Sequence, residues 1–140
     1  MTPTIEAKIG RARRVLVVED ELLIAMELES LLREDGYVVH GPVATIPRAL
    51  ARLDEILPDA ALLDVNLNGR RSTPVAAALA ARGIPFVLLT GYGRQQFTEP
   101  ELRDARILSK PVSHQQLRQA LAAMLVDPWP AGSRGPLTKR

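Results

Sequence analysis

RRVLVVEDE, residues 13–21, is the stretch whose reading decides the fold. Val15-Leu16-Val17-Val18 is an unbroken β-branched and leucine run with no polar alternation, the pattern of a strand buried on both faces. It ends abruptly on Glu19-Asp20. Two later runs end on polar residues in the same way: Ala60-Leu63 on Asp64, and Phe86-Leu89 on Thr90. A shorter run, Arg106-Leu108, is followed by Lys110-Pro111. In an open parallel sheet the strand C-termini share one edge, and ligands bind there. One pocket would then collect three carboxylates, a hydroxyl and an ammonium. That set suits a divalent cation together with a phosphoryl group.

Outward from these runs, strand and helix signals alternate, which predicts an α/β fold with a doubly wound parallel sheet. Glu21–Asp35 reads as a helix, with Ile24, Leu28, Leu31 and Leu32 on one stripe and Gly36 at its stop. Tyr37–Val39 is a short second strand. Ile46–Ile56 is a helix that tolerates Pro47 in its first turn, and Ala60–Asp64 is the third strand. Thr73–Arg82 is an alanine-rich helix ended by Gly83, followed by the strand Phe86–Leu89. Arg94–Ala105 is the poorest helix, interrupted by Pro100. The fifth strand is Arg106–Leu108. Ser113 to Gln116 fits a capping box that opens a last helix, with Leu117, Leu121 and Leu125 facing inward.

With 140 residues and no repeat, the chain is expected to be one domain spanning 14–126, between a basic tail at 1–13 and a Pro/Gly-rich tail at 127–140. That is enough to bury roughly two-thirds of the unfolded surface. The absence of cysteine excludes disulfides and thiolate ligation. No apolar stretch reaches the ~20 residues of a membrane span, and Met1 to Arg14 lacks a secretory core. The expectation is a cytoplasmic protein with no membrane partner. The pI is 9.4, yet the excess basic charge lies in the two tails, which argues against nucleic acid and for solvated ends or a weak contact with an acidic partner.

Three acids on one edge require a counter-charge. Two unit charges 4 Å apart repel by about 4 kcal/mol at an effective dielectric near 20. Glu19, Asp20 and Asp64 therefore call for a hard cation such as Mg²⁺, to which Asn66 could add a carbonyl. The chain has fifteen arginines and only three lysines, two of them in the tails. Lys110 is the exception, and a compact ammonium where arginine is otherwise preferred suits a point contact with a phosphoryl oxygen, or with Asp64 in its absence. Thr90 offers a hydroxyl donor to the same oxygens, and Gly91 leaves space beside it. Asp64 is the candidate nucleophile, able to form an aspartyl phosphate. Taken singly, each residue has a plainer reading: Asp20 as a helix N-cap, Asp64 as a turn residue, Lys110-Pro111 as a loop. It is their common placement in chain order that carries the argument.

These residues resemble the receiver domain of bacterial response regulators. The resemblance runs from about Arg14 to Val126 and rests on RRVLVVEDE, DAALLDVNLNG, PFVLLTG and ILSKPVS in that order. It implies a five-stranded sheet in order 2-1-3-4-5, the flavodoxin-like receiver fold. It implies that Asp64 accepts a phosphoryl group from a sensor histidine kinase or phosphotransfer protein. Glu19, Asp20, Asp64 and the Asn66 carbonyl would hold Mg²⁺, Lys110 would contact the phosphoryl group, and Thr90 would move toward it as the switch. It also implies a cis Lys110-Pro111 bond.

The chain departs from the usual receiver in three places. Ile107 stands where receivers carry a switch aromatic. Asn68-Gly69-Arg70-Arg71 replaces a proline-containing loop, and the span from Asp64 to Thr90 is short. These features resemble the receivers named for a Phe-Ala-Thr-Gly-x-Tyr motif, of which Thr90 and Gly91 are matched here; Tyr92 could stand in for the missing aromatic.

With no output domain after Val126, the expectation is a signalling switch and not an enzyme, acting through contacts with an unknown downstream protein, as a monomer or a phosphorylation-dependent homodimer. Leu22, Leu23 and Met26 lie off the buried stripe and are expected either to dock a kinase, together with the loop after Pro111, or to pack against the site loops. His40 and His114 lack a partner pattern for metal or base chemistry and are expected on the surface, and Trp129 either against the body or exposed. A phosphate sink and a non-phosphorylated binding module are the alternatives. A metal-dependent phosphatase is a weaker rival, because Asp64-Val65-Asn66 lacks the second acid of an Asp-x-Asp motif.

Overall fold

A computed structural model describes residues 12–91 and 97–125. The tails beyond them, Trp129, and Tyr92 with its neighbours to residue 96 lie outside the described residues. A five-stranded parallel sheet is formed by β1 (Arg14–Val18), β2 (Val38–Val43), β3 (Ala60–Asp64), β6 (Phe86–Thr90) and β7 (Arg106–Ser109), in the order β2-β1-β3-β6-β7. Two further strands, β4 (Asn66–Leu67) and β5 (Arg70–Arg71), pair antiparallel as a separate ribbon. With the ribbon set aside, the order is the expected 2-1-3-4-5.

The central strands are apolar throughout because both faces are covered. Alternate residues of one strand feed two cores. Leu16, Leu63 and Leu88 pack with Leu53, Leu79 and Leu102 on the face of α2 (Ile46–Glu55), α3 (Thr73–Ala81) and α4 (Pro100–Arg103). Val17, Leu62 and Leu89 pack with Leu28, Leu32 and Leu117 on the face of α1 (Leu22–Glu34) and α5 (His114–Met124). Register is thereby fixed, since a one-residue slip would exchange the two cores. Local signals agree with the packing. Thr45 Oγ1 accepts the Arg48 amide at 3.2 Å, and Ser113 Oγ accepts the Gln116 amide at 2.9 Å, capping α2 and α5.

Three local expectations are corrected. The second strand runs to Val43 instead of ending at Val39. Gly41 and Pro42 look like breakers, but β2 is an edge strand, where proline is tolerated. Gly41 is required there: at φ 94°, an added Cβ would sit 2.8 Å from the Val17 carbonyl oxygen, where the β1–β2 register shifts. Of the helix predicted over Arg94–Ala105, residues 94–96 lie outside the described residues, and within 97–105 the helix is confined to Pro100–Arg103. A proline disfavours helix in the residue before it, and Glu99 is extended (ψ 128°). The last helix ends at Met124, which leaves Leu125 as its half-buried cap.

His114, expected on the surface, is half-buried in a contact between helices. Its Nε2 lies 3.0 Å from Asp35 Oδ2, and Arg118 reaches the same carboxylate at 3.2 Å, tying the end of α1 to the start of α5. Burial raises the Asp35 carboxyl, but the Arg118 and His114 contacts outweigh it and hold it below its ordinary value. His40 is half-buried; burial, then Arg52 and Arg14, lower its pKa.

Candidate functional site: three acids and a lysine at the strand ends

The parallel sheet brings the ends of β1, β3, β6 and β7 to one rim, and the polar residues that follow each apolar run meet there. Glu19, Asp20 and Asp64 each offer a carboxylate oxygen within 4.8 Å of the others. Lys110 joins them, with Nζ 2.9 Å from Asp64 Oδ2, 2.9 Å from Glu19 Oε1 and 3.5 Å from Glu21 Oε1. Its backbone is held by the sheet, the Lys110 amide donating to the Thr90 carbonyl at 2.8 Å. The Lys110-Pro111 bond is cis, as the resemblance implied. Thr90 is buried and, with Asn66 and Gly91, lines a cleft of about 350 Å³ above Asp64.

The carboxylates are not equivalent. Asp64 Oδ1 accepts the Asn66 amide at 3.3 Å. Asp20 Oδ2 accepts the Asn68 amide at 3.0 Å; it does not cap α1, whose N-cap is Glu21. Glu19 Oε2 accepts the Glu21 amide at 3.0 Å. Glu19 Oε1 is buried 2.9 Å from Lys110 Nζ, an ion pair whose angles fall short of a well-formed hydrogen bond. Burial raises the Glu19 carboxyl to about 7, against the pull of the Glu21 amide and Lys110. Burial also opposes the Lys110 charge, but Asp64 and Glu19 outweigh it and lift the ammonium above its ordinary range.

Three carboxylates thus face one ammonium, and one buried carboxylate oxygen makes no hydrogen bond. This arrangement fits a hard, oxygen-liganded divalent cation, whose charge would offset the desolvation that raises Glu19.

Two contributors were not legible as site residues. Glu21 holds Glu19 through its amide and approaches Lys110 with its side chain. Asn68 holds Asp20 and also donates its side-chain amide to the Ala44 carbonyl at 3.2 Å. A signal for the second existed: Asn68-Gly69 is a two-residue hairpin turn with both φ positive, 53° and 81°.

A doubly wound sheet with an acid trio, a threonine and a lysine at its switch-point rim defines a receiver. The chain belongs to this family: the profile of the response regulator receiver domain matches residues 15–122. Among solved structures it is similar to SdrG from Sphingomonas melonis Fr1, with 47% identity, 84% of this chain and 99% of that one covered, and a TM-score of 0.73. It is also similar to the receiver domain of PhyR from Erythrobacter litoralis, with 26% identity, 84% and 92% covered, and a TM-score of 0.74. The transcriptional regulatory protein PdtaR of Mycobacterium tuberculosis is 34% identical over 123 residues, which is 85% of this chain and 60% of PdtaR. The chain therefore spans about 60% of that relative's length. Among the described residues, no helix is long and apolar enough to cross a membrane.

Proposed function

We propose that this chain is a phosphorylation-dependent switch of a two-component system, accepting a phosphoryl group on Asp64 from a sensor histidine kinase or phosphotransfer protein. The observation that carries the reading is the position of Lys110 Nζ, 2.9 Å from both Asp64 and Glu19 in a rim that also holds Asp20. In the transfer, an Asp64 carboxylate oxygen forms a bond to phosphorus as the phosphorus–nitrogen bond of a phosphohistidine breaks, its electron pair leaving with the imidazole. Glu19, Asp20, Asp64 and the Asn66 carbonyl would hold Mg²⁺, which would supply positive charge to offset that of the transferring group. Lys110 exchanges part of its contact with Asp64 for a phosphoryl oxygen, and Thr90 supplies a hydroxyl donor. Charge-assisted bonds of this type are about twice as strong as neutral ones.

The partner surface is on α1. Leu22, Leu23 and Met26 are 71%, 80% and 54% exposed, which argues against the packing alternative and supports a kinase docking patch beside the loop after Pro111. The switch reports to a downstream protein by contact, in the cytoplasm, as a monomer or as a homodimer formed on phosphorylation.

The test is incubation with acetyl phosphate and Mg²⁺ followed by intact mass. One labile phosphoryl group, absent in Asp64→Ala and without Mg²⁺, is expected. Sustained turnover of a phosphoester would instead make the chain a phosphatase, and no incorporation would leave a binding module. For the docking patch, Leu22→Ser with Met26→Ser is expected to slow phosphotransfer from the cognate kinase while acetyl phosphate still labels Asp64; unchanged transfer sinks it.

A further inference from the structure

The β4–β5 ribbon touches both the acid trio and α4, and nothing in the phosphoryl chemistry above uses its far end. At one end, the Asn66 amide donates to Asp64 Oδ1 at 3.3 Å and the Asn68 amide to Asp20 Oδ2 at 3.0 Å. The ribbon is six residues long, paired Asn66 with Arg71 and Leu67 with Arg70. Leu67 anchors it in the core at 1% exposure, and the Ser72 amide closes it on the Val65 carbonyl at 2.8 Å. At the other end, Arg71 Nε lies 2.9 Å from Glu99 Oε2, with the guanidinium 5.3 Å above the ring of Phe97. Phe97 is itself buried in the core. Glu99 is the N-cap of α4, its carbonyl accepting the Leu102 and Arg103 amides. The Glu99 carboxyl is held below its ordinary value, first by a backbone contact and then by Arg71.

A short ribbon clamped at both ends moves as a unit. Whatever draws Asp64 Oδ1 or Asp20 Oδ2 toward a cation or phosphoryl group competes with the Asn66 and Asn68 amides and displaces the ribbon. Arg71 then carries that displacement to the start of α4. Its planar fork can bind a carboxylate and stack on a ring together, which a lysine cannot. This route bypasses the chain between Thr90 and Phe97.

We propose that Arg71 is a positioning residue that couples the Asp64–Asp20 carboxylates to α4 through the Asn66–Arg71 ribbon and the Glu99–Phe97 contact. The proposal rests on the phosphoryl-switch reading. It uses the full chain, with Mg²⁺ and beryllofluoride as the probe, and backbone amide shifts as the readout. In the wild type, the amides of Asn66, Asn68, Thr90 and Gly91 and those of Glu101 to Arg103 are all expected to shift. In Arg71→Ala, the site amides still shift, and the response at Glu101 to Arg103 is lost. In the charge-swapped pair R71E/E99R it returns in part, through the ion pair without the ring contact, which a merely destabilised helix would not show. Because coupling is reciprocal, Arg71→Ala also changes Mg²⁺ affinity, by no more than about fivefold for a partly exposed pair. A full α4 response in Arg71→Ala overturns the coupling alone. No response at Asn66 or Asn68 in the wild type overturns the phosphoryl-switch reading, and the coupling with it.

Discussion

At the C-terminal rim of the sheet, Asp20, Asp64, Thr90 and Lys110 line a cleft of about 350 Å³. At the N-terminal rim, Ile84, Pro85, Phe86, Pro100 and Met124 line a cavity of about 770 Å³. The two rims share their strands, and the larger hollow carries charged residues too, Glu101, Asp104 and Arg106, but all three are exposed. The N-terminal rim is a mixed hollow between α3, α4 and α5 whose charges stay in solvent. The C-terminal rim buries Glu19 at 2% exposure and Asp64 at 6%, groups whose desolvation costs stability and is retained only where something uses their charge. Buried charge, not volume, distinguishes the proposed phosphoryl site.

Four substitutions break or sharpen this contrast. The largest effect is expected for Lys110→Met, which strips the counter-charge from two buried carboxylates. At pH 8 it should destabilise by about 3 kcal/mol, and the loss should shrink toward pH 5, where Glu19 protonates. Denaturant unfolding at the two pH values measures it, and a pH-independent loss would mean that the pair contributes packing only.

Glu19→Gln should act in the opposite direction. The folded Glu19 pKa, about 7, lies above the ordinary 4.5. The folded state therefore binds the extra proton, and this residue's contribution to stability falls as pH rises from about 4.5 to 7, then levels off. Removing the charge should stabilise the protein by about 2 kcal/mol at pH 8 and flatten that slope, while titration calorimetry shows weaker Mg²⁺ binding. Unchanged Mg²⁺ affinity would remove Glu19 from the cation site.

At the other rim, Met124→Ala should cost about 1 kcal/mol for a partly buried side chain and leave acetyl-phosphate labelling of Asp64 unaltered. A change in labelling would mean that the rims communicate. The smallest effect is expected for Ser72→Ala. The Ser72 side chain is fully buried with no partner for its hydroxyl, so its removal should stabilise by up to about 1 kcal/mol, as thermal unfolding would show.

The contrast also explains what could be read in advance. Each apolar run that ends on Glu19-Asp20, Asp64, Thr90 or before Lys110 was visible as such, because a strand covered on both faces admits no polar residue until it leaves the sheet. The edge strand was misjudged at Gly41-Pro42, where solvent on one side removes that requirement. The Asn66–Arg71 ribbon was missed although Asn68-Gly69 is a hairpin signal, because two-residue strands leave no periodicity. The His114–Asp35 contact is not legible in the sequence because Asp35 sits at the end of another helix.

The amino-acid sequence by itself determined the order of elements, the two-sided burial of β1, β3 and β6, and the identity of the rim residues, since these follow from local periodicity and from where each apolar run stops. Only the tertiary structure decided that Lys110 bridges Glu19 and Asp64, that Glu19 sits near neutrality in its proton affinity, that Leu22, Leu23 and Met26 face solvent, and that Arg71 reaches Glu99. Desolvation and pairing depend on what the rest of the chain brings to a side chain, and here those partners come from other elements of the fold.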